Sequence, residues 1–277
     1  MRLPDSSKAF YVAFLRYLQS IHEAPSRRNP DTLVRNFIPP LQRWRARWLG
    51  RRRLEQLRAD PFYFYLAART RYYDQVFTSA IADGVRQIVS VGCGSDTRPY
   101  RFRQLLLHHQ VRVLECDQAS AIEVKRRVAR RWHASDYVQY LAIDLNDHEW
   151  PTLSSRIDRS GAKVLLLMEG VSPYVDDSSF TSFLGTMARH LPLGSHVAYD
   201  YKLRGVRDDF GKTARTLVPF RLSAAAAEVA AFHDELRLRL DFCELSSDLT
   251  SRLVPGLRES GAALFEEDGL ARLTVVP

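Results

Sequence analysis

Long apolar runs and plentiful cysteine are both missing from this chain of 277 residues. Nowhere do apolar residues follow one another over the ~20 positions that a membrane-spanning helix needs, so no such helix and no membrane partner is expected. The opening stretch MRLPDSSKAFYVAFLRYL is interrupted by Arg16 and has no small-residue cleavage site, so no secretion signal is expected either. Three cysteines, Cys93, Cys116 and Cys243, cannot all pair, and none stands at metal-ligand spacing. A disulfide framework and a structural zinc are thereby excluded, no metal is expected, and a reducing, cytoplasmic setting fits. Internal repeats, Gly/Ser/Pro-rich linkers and low-complexity tracts beyond residues 224–227 are absent, which excludes solenoids and tethered modules. There is no GxxxxGK[ST], and with it goes the P-loop class of nucleotide enzymes.

What is present is a 45% hydrophobic composition, enough to bury a core in one sheet-based domain, and an excess of positive charge, +8 overall. Much of the excess lies in residues 43–58, RWRARWLGRRRLEQLR, with seven arginines and two tryptophans. On a single helix Trp44 and Trp48 share a face with Leu41 while the arginines take the other sides. A solvated helix packing its tryptophan stripe on the body is the first reading. A basic docking surface for an acidic partner or an anionic substrate is the second. No nucleic-acid recognition motif accompanies the charge.

The first eighty residues, rich in arginine and aromatics, show helical spacing, as in Phe10, Phe14, Tyr17 and Leu18, and Pro25, Pro30, Pro39 and Pro40 punctuate them. They read as a helical cap, residues 1–80. From Gln87 the pattern changes to short apolar runs, QIVSV, VRVLEC, VQYLAI, KVLLLM and HVAYDY, separated by lengths suited to helices. Helices are expected over residues 99–108, 119–132 and 178–190, the last capped by Asp176, Asp177 and Ser178. Asp268-Gly269 reads as a turn between two strand-like runs at the end of the chain. The expectation is one compact α/β domain over residues 81–277, with a mostly parallel sheet finishing in an antiparallel hairpin.

Four strand ends carry candidate chemistry. IVSVGCGSDTRPYRF places Gly92 and Gly94 in a strand-to-helix turn, where glycine lets the backbone bend and a ligand approach it. A dinucleotide site would want a third glycine at position 97, which is Thr97. LECDQ ends the next strand with Glu115 and Asp117 on one side of an extended chain, and a carboxylate there accepts both hydroxyls of a ribose or caps the following helix. In YLAIDLND, Asp144 either accepts the exocyclic amine of an adenine, with Leu145 against the ring, or makes an Asx-turn. LLLMEGVSPYV leaves Glu169 at the tip of a central strand, where a charge is rarely left without a partner. In an open parallel sheet ligands bind beyond the C-terminal strand ends, so all four features point to one crevice. Carboxylates without a phosphate-binding lysine suit a sulfonium cofactor, which carries positive charge and no phosphate.

The segments SSKAF, AARTRYYD, VGCGSDTRPYRF, LECDQ, IDLND and MEGVSPYV follow in order. Together they resemble the leucine carboxyl methyltransferase family, which includes protein phosphatase methyltransferases and many bacterial small-molecule O-methyltransferases. The first two segments lie outside the general methyltransferase core and make the match specific. The resemblance implies a Rossmann-like class I methyltransferase fold, with a seven-stranded sheet, and S-adenosyl-L-methionine as cofactor. It also implies that Lys8 and Arg69 hold the carboxylate of the cofactor's methionine part and that Gly92, with Gly94, lies under the cofactor. Asp117 would bind the ribose, Asp144 and Leu145 the adenine, and Glu169 would sit near the methionine amino group. The chain departs from the family pattern at Asn146, where members acting on carboxylates often have an arginine, and at Ser172 and Pro173, where apolar residues are usual. A phosphatase tail is therefore not the expected acceptor.

Methyl transfer to a carboxylate needs no base, whereas a hydroxyl acceptor gains about 10² to 10⁴ in rate from one. Tyr174, Tyr201 and His196 are the candidates, with Asp200 and His148 nearby in sequence. The expected function is O-methylation of a carboxylate or hydroxyl on a small metabolite in specialised biosynthesis, the acceptor being free or bound to a carrier or peptide. Two alternatives stand: methylation of a protein or peptide C-terminus docked on residues 43–58, and a catalytically silent cofactor-binding partner.

Overall fold

The computed structural model describes residues 5–158, 160–206, 218–259 and 261–277, the side chains of 5–8 excepted. Four helices come first: α1 (Asp5–His22), α2 (Pro40–Arg47), α3 (Arg51–Arg58) and α4 (Pro61–Ala82). Pro40 and Pro61 open their helices, where a missing N–H removes no intrahelical bond. Gly50 separates α2 from α3, so residues 43–58 form two short helices and not the single one expected. A glycine inside a helix costs about 1 kcal/mol relative to alanine, enough to favour a break on the surface. The buried residues of this pair are Ala46 and Leu54, and the tryptophan stripe expected against the body faces outward instead.

From Gln87 the chain alternates as β1 (Gln87–Val91), α5 (Arg98–Arg101), α6 (Arg103–His108), β2 (Arg112–Asp117), α7 (Ala119–Ala129), β3 (Val138–Ala142), α8 (Trp150–Ser154), β4 (Val164–Met168), α9 (Asp177–His190) and β5 (His196–Leu203). The remainder is β6 (Arg221–Leu222), α10 (Ala226–Asp234), β7 (Leu238–Leu245), α11 (Ser246–Leu253) and β8 (Asp268–Val275). All five apolar runs are strands, too short for core helices and, in β4, buried at every position. The helix expected over residues 99–108 breaks at Phe102, whose ring stacks on Phe77 at 5.6 Å. That over 119–132 tightens into a 3-10 turn after Ala129. α9 begins as expected, with the Asp176 carboxylate accepting from Ser178 N (3.2 Å) and Ser178 Oγ (2.7 Å).

The sheet runs β3-β2-β1-β4-β5-β8-β7, with β6 an added two-residue strand on β5. β1 to β5 are parallel, and β8 lies antiparallel between β5 and β7. This is the doubly wound Rossmann-like arrangement with an antiparallel C-terminal pair. The turn expected at Asp268-Gly269 is not one: both residues begin β8, which pairs antiparallel with β7, and because α11 lies between the two strands the pair is not the hairpin expected. Gly269 serves packing, because a Cβ on it would overlap the ring of Tyr201. The sheet order reverses between β1 and β4, which opens a crevice at the C-terminal ends of those strands.

The chain divides into two compact units. The first gathers residues 1–76, 95–101 and 246–266; the second gathers 77–94, 102–245 and 267–277. This differs from a simple boundary at residue 80, because two later segments join the N-terminal helices. Among the described residues no helix is long and apolar enough to cross a membrane.

Candidate active site

The second unit builds a crevice from the tips of β1, β2, β3 and β4. After Val91 the chain turns through Gly92 (φ 65°) and Gly94 (φ 38°), conformations that side chains disfavour. The two glycines differ in surroundings. A Cβ on Gly92 would overlap Val171 Cγ2, so Gly92 lets the turn touch the β4 loop. Beside Gly94, among the described residues and its chain neighbours apart, only the Gly92 carbonyl comes within 4 Å of such a Cβ, leaving room for a ligand against the main chain. Cys93, between them, donates its N–H to the Cys116 carbonyl at 3.0 Å, and burial pushes its thiol well above the usual range, so it is no nucleophile.

Asp117, at the end of β2, holds this turn. Its Oδ2 accepts from Gly94 N at 2.7 Å and its Oδ1 from Gln118 N at 2.8 Å. Burial raises its pKa, although these two N–H groups favour the charged form. Each carboxylate oxygen keeps a further lone pair for a ligand hydroxyl. Gln118 then reaches across to β3, its Nε2 donating 2.7 Å to Asp144 Oδ2, while Asp144 Oδ1 accepts from Asn146 N at 2.9 Å. The Asx-turn reading and the ligand reading of Asp144 are thus compatible. Below the acids, Glu115 and Lys125 form a fully buried pair at 2.7 Å that joins β2 to α7, and Lys125 Nζ also donates to the Cys93 carbonyl at 3.4 Å.

At the β4 tip, Glu169 is half-buried and Gly170 N donates to Asp200 Oδ1 at 2.6 Å. Ser172 Oγ donates to the Asp200 carbonyl at 2.9 Å, so β5 fixes the loop that follows Glu169. Asn146 completes it: its Nδ2 donates to the Tyr174 carbonyl and its Oδ1 accepts from Asp176 N, both at 3.1 Å. Tyr174, half-buried in the turn Ser172–Tyr174, is held at the crevice side of the sheet.

Two of the three base candidates lie elsewhere. His196 starts β5 level with Leu165, about 10 Å behind the tip at a strand's rise per residue, and bonds Asp83 at 2.8 Å. Tyr201 points into the core, its hydroxyl 3.3 Å from Cys243 Sγ; burial and that thiol push its pKa far up and deny it a phenolate. Alternation on β5 explains the error, since Tyr199 and Tyr201 share the face opposite Asp200. Leu145 is likewise turned into the core, buried with Ile143 and Leu153. His148 is exposed, edge-on to Trp150 at 4.6 Å.

The profile of the leucine carboxyl methyltransferase family matches residues 9–188, well over half of the sequence. The chain belongs to this family. Among curated relatives, a protein of Mycobacterium ulcerans is 35% identical over 139 residues, covering 49% of this chain and 44% of its own. One of Rhodococcus jostii is 29% identical over 202 residues, covering 69% and 64%. Both are named, provisionally, as S-adenosyl-L-methionine-dependent methyltransferases. The chain thus spans about half the length of the first of these relatives. Of solved structures, a DUF574 family protein from Streptomyces avermitilis shares the fold, with a TM-score of 0.59 at 16% identity over 96% of this chain and 97% of that one.

Two positions that the sequence singled out, Lys8 and Arg69, lie in the first unit. Arg69 on α4 is buried, its guanidinium 5.6 Å above the Tyr65 ring. The side chain of Lys8 lies outside the described residues. Sequence reasoning missed the work of the family segment SDTRPYR inside this unit. Arg98 bonds Asp74 (2.9 Å) and Asp96 (3.1 Å), Arg101 bonds Asp74 twice at 2.6 Å, and Thr97 donates to Asp31 at 2.5 Å. Asp31 also pairs with Arg16. The single acid followed by two arginines in D-T-R-P-Y-R was the available signal. Gln118 and Lys125 were missed too, having no spacing that marks them.

Proposed function

We propose that this chain is an S-adenosyl-L-methionine-dependent O-methyltransferase acting on a carboxylate or hydroxyl of a small metabolite. The observation that supports it most is Asp117, a half-buried carboxylate whose two oxygens each accept a backbone N–H beside the open Gly94 turn. The neighbouring carboxylates Asp144 and Glu169 make the crevice a host for hydroxyls, amines and positive charge, not for phosphate. When bound, the cofactor supplies a methyl group on a sulfonium sulfur.

Asp117 accepts the ribose hydroxyls, Asp144 the adenine amine, and Glu169 the ammonium of the methionine part; by the family pattern Lys8 and Arg69 hold its carboxylate. Methyl transfer is an in-line displacement, so the protein contributes chiefly by aligning the acceptor oxygen with the methyl. The loop fixed by Asn146 and Asp200 does that positioning, and Tyr174 is the base candidate retained for a hydroxyl acceptor. Asn146 in place of arginine has a reason here: an arginine donates but cannot accept from Asp176 N. Calorimetric titration with S-adenosyl-L-methionine should give micromolar binding that Asp117→Ala and Arg69→Ala both weaken. Product assays with acids and phenols then identify the acceptor; methylation of nitrogen alone would sink the O-methyl reading.

A further inference from the structure

The first unit exposes side chains that proteins usually cover. Leu41, Trp44 and Trp48 are 58%, 61% and 76% exposed, and their i, i+3, i+7 spacing places them on one side of α2, which Trp48 caps, away from buried Ala46. Arg45 and Arg47 flank this stripe on its two edges, and Arg51, Arg52 and Arg53 follow it at the start of α3, all exposed. Over residues 43–58 the charge is seven arginines against a single glutamate, Glu55, which Arg51 engages at 2.9 Å. Arg45, Arg47 and Arg52 make no ion pair among the described residues. Scattered apolar residues on a surface mean little, but two tryptophans and a leucine in one stripe rimmed by cations mark an interaction face.

We infer that α2 and α3 form a docking surface for an anionic lipid bilayer, lying in the plane of the interface with Leu41, Trp44 and Trp48 sunk among the headgroups. The composition selects this occupant. Tryptophan has an apolar ring and a polar N–H and concentrates where hydrocarbon meets water. Arginines on both edges meet the negative potential of acidic headgroups. A second copy of this face is disfavoured by the repulsion between two arginine clusters. A fluid array of headgroups, by contrast, meets guanidiniums spread over two helices without a matched geometry. The inference concerns the first unit and stands apart from the cofactor reading.

Co-sedimentation of the full chain with phosphatidylcholine vesicles containing about one quarter phosphatidylglycerol tests it, read beside tryptophan fluorescence. Binding to these vesicles and not to pure phosphatidylcholine is expected, with a blue shift as the indoles leave water. Raising salt from about 0.1 M to about 1 M, which shortens the screening length from about 10 Å to about 3 Å, should release the protein. Arg45→Gln/Arg47→Gln/Arg52→Gln should weaken partitioning on the order of a hundredfold. Trp44→Ser/Trp48→Ser should weaken it roughly tenfold and abolish the shift, while the far-UV spectrum and melting temperature stay those of the parent. Absence of binding overturns the proposal. Binding that the tryptophan pair leaves unchanged, or capture by soluble polyglutamate without any shift on vesicles, overturns it too and assigns the face to an acidic peptide.

Discussion

A methyl group added to Gly92 would have to share space with Val171, at a backbone angle where side chains are already disfavoured. Gly92→Ala should therefore destabilise the fold by about 2 kcal/mol, read from urea unfolding midpoints. Gly94→Ala meets open space and should cost about 1 kcal/mol, while lowering cofactor affinity at least as far, since its methyl occupies the approach to the main chain. Equal effects of the two substitutions on stability and affinity would remove the distinction drawn between them. Asp117 adds a pH signature. Its pKa is raised mainly by burial, and the charged form is the one that accepts hydroxyls. Cofactor affinity should thus fall on acidification at a higher pH than an ordinary aspartate would give, and calorimetry across pH 4 to 7 measures it.

At the scale of elements, the buried Glu115–Lys125 pair ties β2 to α7 directly beneath the glycine turn. Lys125→Met strands a buried carboxylate and should cost about 3–5 kcal/mol, most of which the double variant Glu115→Leu/Lys125→Met recovers. A double-mutant cycle in urea that shows no such recovery would mean the pair is not coupled. Strands and the start of α9 were legible in the sequence because burial on both faces demands apolar runs and Asp176 offers a cap. The carboxylates at the strand ends were legible as a group because they follow those runs. Partnering was not: whether Tyr201 or Asp200 faced the crevice depended on register, and His196 was assigned to a site that only strand pairing shows to be distant. Gly269 was misread because a packing glycine and a turn glycine are the same letter. The tryptophans of α2 fitted an amphipathic pattern whose apolar side faces outward, and periodicity gives the face without saying what covers it.

For the molecule as a whole, one buried histidine couples stability to pH. His233 bonds Tyr199 Oη at 2.6 Å and the Val229 carbonyl at 2.6 Å, and burial lowers its pKa to about 4. Above the unfolded value of about 6.5 both states are neutral there and the group costs nothing. As pH falls from about 6.5 towards 4 the unfolded chain takes up a proton that the folded one refuses, so stability declines by about 3 kcal/mol across that window. Melting temperatures should drop accordingly, and His233→Gln should flatten the decline; an unaltered slope would assign it to other groups. The expected boundary at residue 80 was drawn from composition, which changes once along the chain, whereas the backbone passes from one compact unit to the other after Val76, Gly94, Arg101, Leu245 and Glu266. No contiguous stretch of the gene therefore encodes either unit. A recombinant joined at any single breakpoint within the chain inherits at least one unit in parts of mixed origin.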